Sequence, residues 1–209
     1  GQRQTADDCA GSVPEDGTRL NQYHVDCKTN AFCYNTIFLK GLTMKKSVCH
    51  YSFHRTWKEE NWDCRKLCEE VKSAGADAVD FHAGLVGSAS GAAAVITAAL
   101  DATGLEISGV SMSNNFNTTD PDEFRKQIDT VKAWLPVAAQ VKSPVSRIFG
   151  GHIKDRSNPQ EIQKGLDRIL PAIEEVLTEA EKHGIILALE NHGGLPCTGE
   201  EQAQVIERF

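Results

Sequence analysis

The sequence predicts an α/β fold of parallel βα units, and within that class an incomplete (β/α)8 barrel of the TIM-barrel type, with about five of its eight units present. Three observations carry this. From Met44 onward, five short apolar runs alternate with five helical patterns at a spacing of about 30 residues per unit. The first run lacks the G-x-G-x-x-G turn that a dinucleotide-binding sheet would place after it, and Gly84-Leu85-Val86-Gly87 after the second run is too sparse to substitute. The fifth run, Ile185-Ile186-Leu187-Ala188-Leu189, is uninterrupted by charge and closes on Glu190-Asn191-His192-Gly193-Gly194. An apolar run bounded by turn residues reads as a fully buried strand, and parallel α/β folds collect their chemistry at such carboxyl ends.

The elements follow in order. A strand is expected over about Ser47–Phe53 and an amphipathic helix over about Asn61–Ala74, closed by Gly75. A second strand, Ala78–Phe81, leads to a Gly/Ser/Ala-rich helix over about Gly91–Thr103. The third strand, Leu105–Met112, precedes Thr119-Asp120-Pro121-Asp122-Glu123. There Asp120 can cap, Pro121 fits the first turn and Glu123 is placed for a capping box. That helix reaches about Val141, and Pro144–Phe149 makes the fourth strand. Asn158-Pro159-Gln160-Glu161 opens a long helix to about His183, expected to bend at Pro171, and Gly184 ends it before the fifth strand. Thr198-Gly199-Glu200-Glu201 is a further capping box and starts the fifth helix. The 166 residues from Met44 are about two-thirds of the ~250 that a complete barrel takes, so three strands are expected to be missing.

Residues 1–43 are a different kind of sequence. They show no sustained helical period and one apolar cluster, Thr36-Ile37-Phe38-Leu39, and Met44-Lys45-Lys46-Ser47-Val48 would serve as a natural start. We read 1–43 as an irregular or non-native extension and 44–209 as the amino-terminal part of the barrel. The composition, 40% hydrophobic and 24% charged, is ordinary for a globular protein. A net charge of −7 without a Lys/Arg cluster gives no reason to expect nucleic acid, and no run approaches the ~18 apolar residues of a membrane span. Seven cysteines without a C-x-x-C pair suit reduced, mostly buried thiols and a cytoplasmic setting.

Four segments together resemble the xylose isomerase-like barrels, the family of sugar-phosphate isomerases and epimerases, hydroxypyruvate isomerase, inosose dehydratase and the endonuclease IV branch. They are His50-Tyr51-Ser52-Phe53-His54, Val110-Ser111-Met112-Ser113-Asn114-Asn115-Phe116, Arg147-Ile148-Phe149-Gly150-Gly151 and Leu187-Ala188-Leu189-Glu190-Asn191-His192-Gly193-Gly194. The resemblance implies a divalent metal (Mn, Mg, Co or Zn) held by four side chains from strands five to eight, of which Glu190 matches the first. It also implies Glu190 as the acid/base that removes a proton beside a carbonyl while the metal stabilises an enediolate.

The remaining site residues are weighed individually. His192, two residues on, shares the Glu190 side of an extended segment and could bond a substrate hydroxyl, or simply pack in the loop. Asn191 is expected to hold the loop backbone. His50, Ser52 and His54 alternate along the first strand, which puts His54 nearest the mouth as a substrate contact and His50 deeper as a core histidine. His82 ends the second strand, and Asn114 and Asn115 end the third, where they could bond sugar hydroxyls or merely form a turn. Arg147 would suit a phosphate or carboxylate, or else a structural ion pair. Trp57 and Trp62 suggest a lid over a sugar or a satellite apolar cluster.

The function expected of the parent protein is a metal-dependent sugar or sugar-phosphate isomerase/epimerase, this chain being a fragment inactive alone. The alternatives are an endonuclease IV-like hydrolase, disfavoured by the net charge of −7, or a non-catalytic partial-barrel binding domain with open sheet edges. The partner expected is a small sugar or sugar phosphate, with no nucleic acid and no membrane; the substrate, the metal and any oligomeric state stay open.

Overall fold

A computed structural model describes residues 44–192 and 194–209; the amino-terminal extension, with Cys9, Cys27 and Cys33, and Gly193 lie outside the described residues. The order is β1 (Ser47–Cys49), a 3-10 turn (His50–Phe53), α1 (His54–Glu59), α2 (Cys64–Ser73), β2 (Ala78–His82), α3 (Ala83–Val86), α4 (Ala92–Thr103) and β3 (Glu106–Ser111), followed by α5 (Pro121–Gln140), β4 (Val145–Phe149), α6 (Pro159–Lys182), β5 (Ile186–Glu190) and α7 (Gly199–Ile206). The strands form one parallel sheet in sequence order, β1-β2-β3-β4-β5. Sequential parallel strands joined by helices are the arrangement of a barrel arc, since a doubly wound sheet reverses its order partway.

The helix starts follow from side chains that satisfy otherwise orphaned N–H groups. Asp120 accepts from the Asp122 and Glu123 amides, Asn158 from Gln160 and Glu161, Asp63 from Lys66, and Thr198 from Glu201. The reciprocal half of the box expected at α5 is not made. Glu123 pairs instead with Gln127 and Lys126, and Glu201 accepts from the Cys197 amide, one residue ahead of the cap. α6 runs through Pro171 without a break.

Alternation divides the sheet. Val79 and Phe81 of β2, Ile148 of β4 and Leu187 and Leu189 of β5 pack with Leu67, Ile96, Ile128, Leu135 and Ile169 of the helices in one apolar core. The opposite, inner side is polar: Ser47 and Ser108 share a 2.6 Å hydrogen bond, Ser111 donates to Asp80 at 2.5 Å, and Arg147 pairs with Glu190 at 2.9 Å. Bulky branched side chains usually fill such an interior. Ile186, on the same side of β5 as Glu190, is 69% exposed.

One element corrects the sequence reading. β1 ends at Cys49, and residues 50–53 coil into a 3-10 turn. His50, Ser52 and His54 therefore do not share one strand face, and His54 is the first residue of α1 rather than a strand-end side chain at the mouth. The reason lies in His50, which is fully buried with its ring 4.2 Å from Trp57 and 6.1 Å from Phe81. Burial of that ring overrides the alternation of the local sequence. α1 and α3 were not expected.

Candidate functional site

The carboxyl end of the sheet carries a charged group at β4–β5 and an aromatic group at β1–β2. Parallel pairing sets Arg147 against Ala188 and Phe149 against Glu190, so Arg147 and Glu190 are diagonal neighbours on the inner side. Glu190 has one partner on each oxygen: its Oε2 lies 2.9 Å from the Arg147 Nε and its Oε1 2.7 Å from the His192 Nδ1. Because a carboxylate oxygen accepts, His192 Nδ1 donates in this bond and Nε2 faces away from Glu190. Arg147 also donates from Nη1 to the Met112 carbonyl at 2.6 Å, and its guanidinium lies 4.1 Å from the Phe149 ring centre. The other partner of that ring is His192, at 4.7 Å and a tilt of 34°.

A Glu at a strand end costs desolvation unless it is compensated. Arg147 provides that compensation. Its side chain is 19% exposed, with Nε bonded to Glu190 and Nη1 to the Met112 carbonyl, which is the ion-pair alternative that the sequence allowed.

At β1–β2, His82 is buried. Its Nε2 meets the Ser113 Oγ at 2.8 Å, its Nδ1 has no partner, and its ring lies 5.0 Å from Tyr51. Burial first, then the Arg147 charge, pull its pKa down to about 4, so this imidazole is neutral at ordinary pH. His50 falls further, to about 3, through burial and then His82. Its Nδ1 accepts from the His82 amide at 3.4 Å, but its buried Nε2 is unpartnered, so it is not a fully satisfied core histidine. His54 donates from Nδ1 to the Tyr51 carbonyl at 2.9 Å and stacks on the half-exposed Tyr51 ring at 4.6 Å. Between the two groups lies Asp80, whose carboxyl is raised by burial against the opposing hydrogen bonds from Ser111 and Cys49.

Asn115 joins neither group. Its Oδ1 accepts from the His152 and Asn117 amides and ties the loop after β3 to the loop after β4. Asn114 is likewise structural, its amide bridging both backbone groups of Phe149. Asn191 holds its loop through the Cys197 carbonyl, as expected. Trp57 packs on His50 and Trp62 on Phe53, which makes the satellite apolar cluster rather than a lid.

The loops after β4 and β5 are locked together. Gly151 and Leu195 exchange both backbone hydrogen bonds, and Arg156 ties the Gly194 carbonyl to Glu201. A Cβ on Gly150 would run into the Leu195 carbonyl, and one on Gly194 into the Gly151 carbonyl. The sequence signalled Glu190, His192, Arg147 and His82; it did not signal Phe149, Tyr51, Ser113 or Asp80 as members of the two groups. Phe149 could have been found from the pairing, since it sits directly across from Glu190.

A divalent metal does not fit the described residues as they stand. Glu190 is the lone carboxylate of its group, a guanidinium already occupies Oε2, and no cluster of three or more His, Cys, Asp or Glu that could hold a metal exists among the described residues. No helix among them is long and apolar enough to cross a membrane.

A family model described as xylose isomerase-like TIM barrel matches residues 68–209, which leaves the first-strand segment 50–54 outside the match. A search of curated proteins finds no match. Among solved structures, a D-tagatose 3-epimerase-like protein aligns at 18% identity and TM-score 0.64, covering 79% of this chain and 61% of that one. The D-allulose 3-epimerase of a Methylomonas species, solved with D-allulose, aligns at 15% identity and TM-score 0.55, covering 69% and 52%. The D-psicose 3-epimerase of Clostridium cellulolyticum H10, solved with D-tagatose, aligns at 17% and 0.52, covering 70% and 52%. At such identities the likeness is one of fold, and the chain spans about half to three-fifths of the length of these neighbours.

Proposed function

The chain belongs to the xylose isomerase-like TIM barrel family, and from that premise we propose that the protein is a sugar isomerase or epimerase that moves a proton at the carbon beside a carbonyl. One observation carries the reading: Glu190 and the exposed His192 are hydrogen-bonded at 2.7 Å on the carboxyl end of β5. Such a pair can take and return a proton at a bound sugar. The sugar epimerases among the structural neighbours support the substrate class.

In this reading Glu190 is the acid/base and His192 orients it and meets the substrate. His82, neutral and fixed by Ser113, and Tyr51, with one ring face on His54, suit the hydroxyls and the apolar face of an uncharged sugar. His54 contributes by supporting Tyr51. The divalent metal that the resemblance implies would need ligands beyond Glu190, so no step is assigned to it. The same reading keeps residues 1–43 as an extension to the barrel and a reducing, cytoplasmic setting, supported by the free thiols of Cys49, Cys64, Cys68 and Cys197. The 209 residues alone are proposed to be inactive.

The test is deuterium wash-in from D2O beside the carbonyl of D-allulose and D-tagatose, followed by NMR. We expect it from the intact protein that carries these residues, and expect its loss with Glu190→Gln. Absence of wash-in across ketoses and aldoses would sink the reading, and robust turnover by the 209 residues alone would refute their inactivity.

A further inference from the structure

We propose that Arg147 and Phe149 are the positioning residues of the Glu190–His192 pair, and that Arg147 does not recognise an anionic substrate. The inference rests on the isomerase/epimerase reading for its catalytic consequence, but the arrangement can be tested without it.

The four side chains close a ring of contacts. Glu190 Oε2 meets Arg147 Nε at 2.9 Å, the Arg147 guanidinium lies 4.1 Å from the Phe149 ring centre, that ring lies 4.7 Å from the His192 ring, and His192 Nδ1 returns to Glu190 Oε1 at 2.7 Å. Each contact fixes a different freedom. The Nε–H bond sets the rotation of the carboxylate, and the 2.6 Å bond from Nη1 to the Met112 carbonyl anchors the guanidinium to the end of β3. The planar fork of arginine makes both bonds at once, which a lysine ammonium on a flexible stem cannot reproduce in that plane. His192 has no such anchor in the backbone: its side chain is 63% exposed and lies beyond the end of β5. What keeps it in one rotamer is Glu190 on one side and the Phe149 ring on the other. Phe149 in turn is held by Asn114, which bonds both its amide and its carbonyl.

An arginine waiting for a phosphate or carboxylate would keep its fork free toward solvent. This one is 19% exposed, bound at Nε and Nη1, and stacked on a ring. The consequence is that loss of Arg147 disorders the acid/base pair and leaves affinity for substrate nearly intact.

The experiment has two arms. The first reads the described chain by NMR, through the Arg147 Nε–H signal and the His192 imidazole C–H signals. Wild type is expected to show a slowly exchanging Nε–H and His192 shifts displaced by the Phe149 ring. Phe149→Leu and Arg147→Lys are expected to move the His192 signals to exposed-histidine values, and Phe149→Tyr, which keeps the ring, to restore them. Unchanged His192 signals in Arg147→Lys and Phe149→Leu overturn the proposal. If either variant fails to fold, the Nε–H exchange rate in wild type and the Phe149→Tyr spectrum decide in its place: fast exchange, or a Phe149→Tyr spectrum at exposed-histidine values, overturns it.

The second arm uses the intact protein with a ketose. Arg147→Lys is expected to lower kcat on the order of 100-fold with KM within about threefold of wild type. A rise in KM with kcat unchanged would mean that Arg147 binds substrate, and would overturn the proposal. A wild type without sugar turnover defeats the proposed function only, since the spectroscopic arm reads the arrangement directly.

Discussion

Two clusters at the carboxyl end of one sheet solve the problem of buried polarity in opposite ways. At β4–β5, charge is kept and compensated: Glu190 carries Arg147 on one oxygen and His192 on the other. At β1–β2, charge is avoided: His50 and His82 are buried among Trp57, Phe81 and Tyr51, with pKa values pulled down to about 3 and about 4. The difference teaches where protons can go. A compensated carboxylate with an exposed imidazole beside it can exchange protons with a ligand, whereas a desolvated imidazole is a neutral hydrogen-bonding fixture.

The largest expected effect breaks the β1–β2 side with acid. Unfolded histidines gain a proton below about pH 6.5, while folded His82 and His50 stay neutral until about 4 and about 3. The unfolded state then binds more protons, so stability falls as pH drops from about 6.5 to about 4, on the order of 3 kcal/mol for each of the two histidines. The raised carboxyl of Asp80 works in the opposite sense, because it favours the folded state below its own shifted pKa. Urea midpoints measured across that range check this, and His82→Asn should flatten the slope; a flat profile in wild type would mean that the imidazoles are not desolvated.

Next in size is the charged side. Arg147→Met leaves Glu190 without its counter-ion and is expected to cost about 2 kcal/mol, below the value for a fully buried pair because Glu190 is partly solvated. Adding Glu190→Leu should recover most of that loss, and a double-mutant cycle in urea measures the coupling. If Arg147→Met proves neutral alone, the ion pair contributes nothing and the contrast between the clusters collapses.

Asn158→Ala, remote from both clusters, removes the cap of α6 and is expected to cost about 1 kcal/mol, which sets the scale for an ordinary hydrogen-bonding loss. The smallest expected effect is none: Mn2+ added to the 209-residue chain should leave its melting temperature unchanged, since Glu190 is already neutralised by Arg147. A metal-dependent rise in melting temperature would show a ligand set that the described residues do not provide.

The legible parts of the fold were those decided locally. The starts of α5, α6 and α7 were readable because Asp120, Asn158 and Thr198 cap amides two or three residues away. β5 was readable as a strand from its unbroken apolar run, although it is half-buried rather than fully buried, with Ile186 exposed. The turn at His50–Phe53 was not, since its alternating pattern suits a strand and only the distant rings of Trp57 and Phe81 decide otherwise. The site shows the same division. Glu190 and His192 stand out at a strand end, but Arg147 is 43 residues before Glu190, and their meeting depends on the register of β4 against β5. The loop contacts of Asn115 were hidden for the same reason, because the amides that it binds belong partly to another loop.

The interlock of Gly150, Gly151 and Gly194 has a consequence for how such a protein can diversify. A side chain at Gly150 or Gly194 would collide with the facing backbone, and one at Gly151 with Asn117 and Asn115 of the loop after β3, so a substitution at any of the three requires a neighbouring loop to move with it. The opposite rim is looser at Gly84, whose Cβ position meets only the ring of His82. Substitutions on that rim are therefore accommodated by one side chain, whereas those at the loops after β4 and β5 must move backbone.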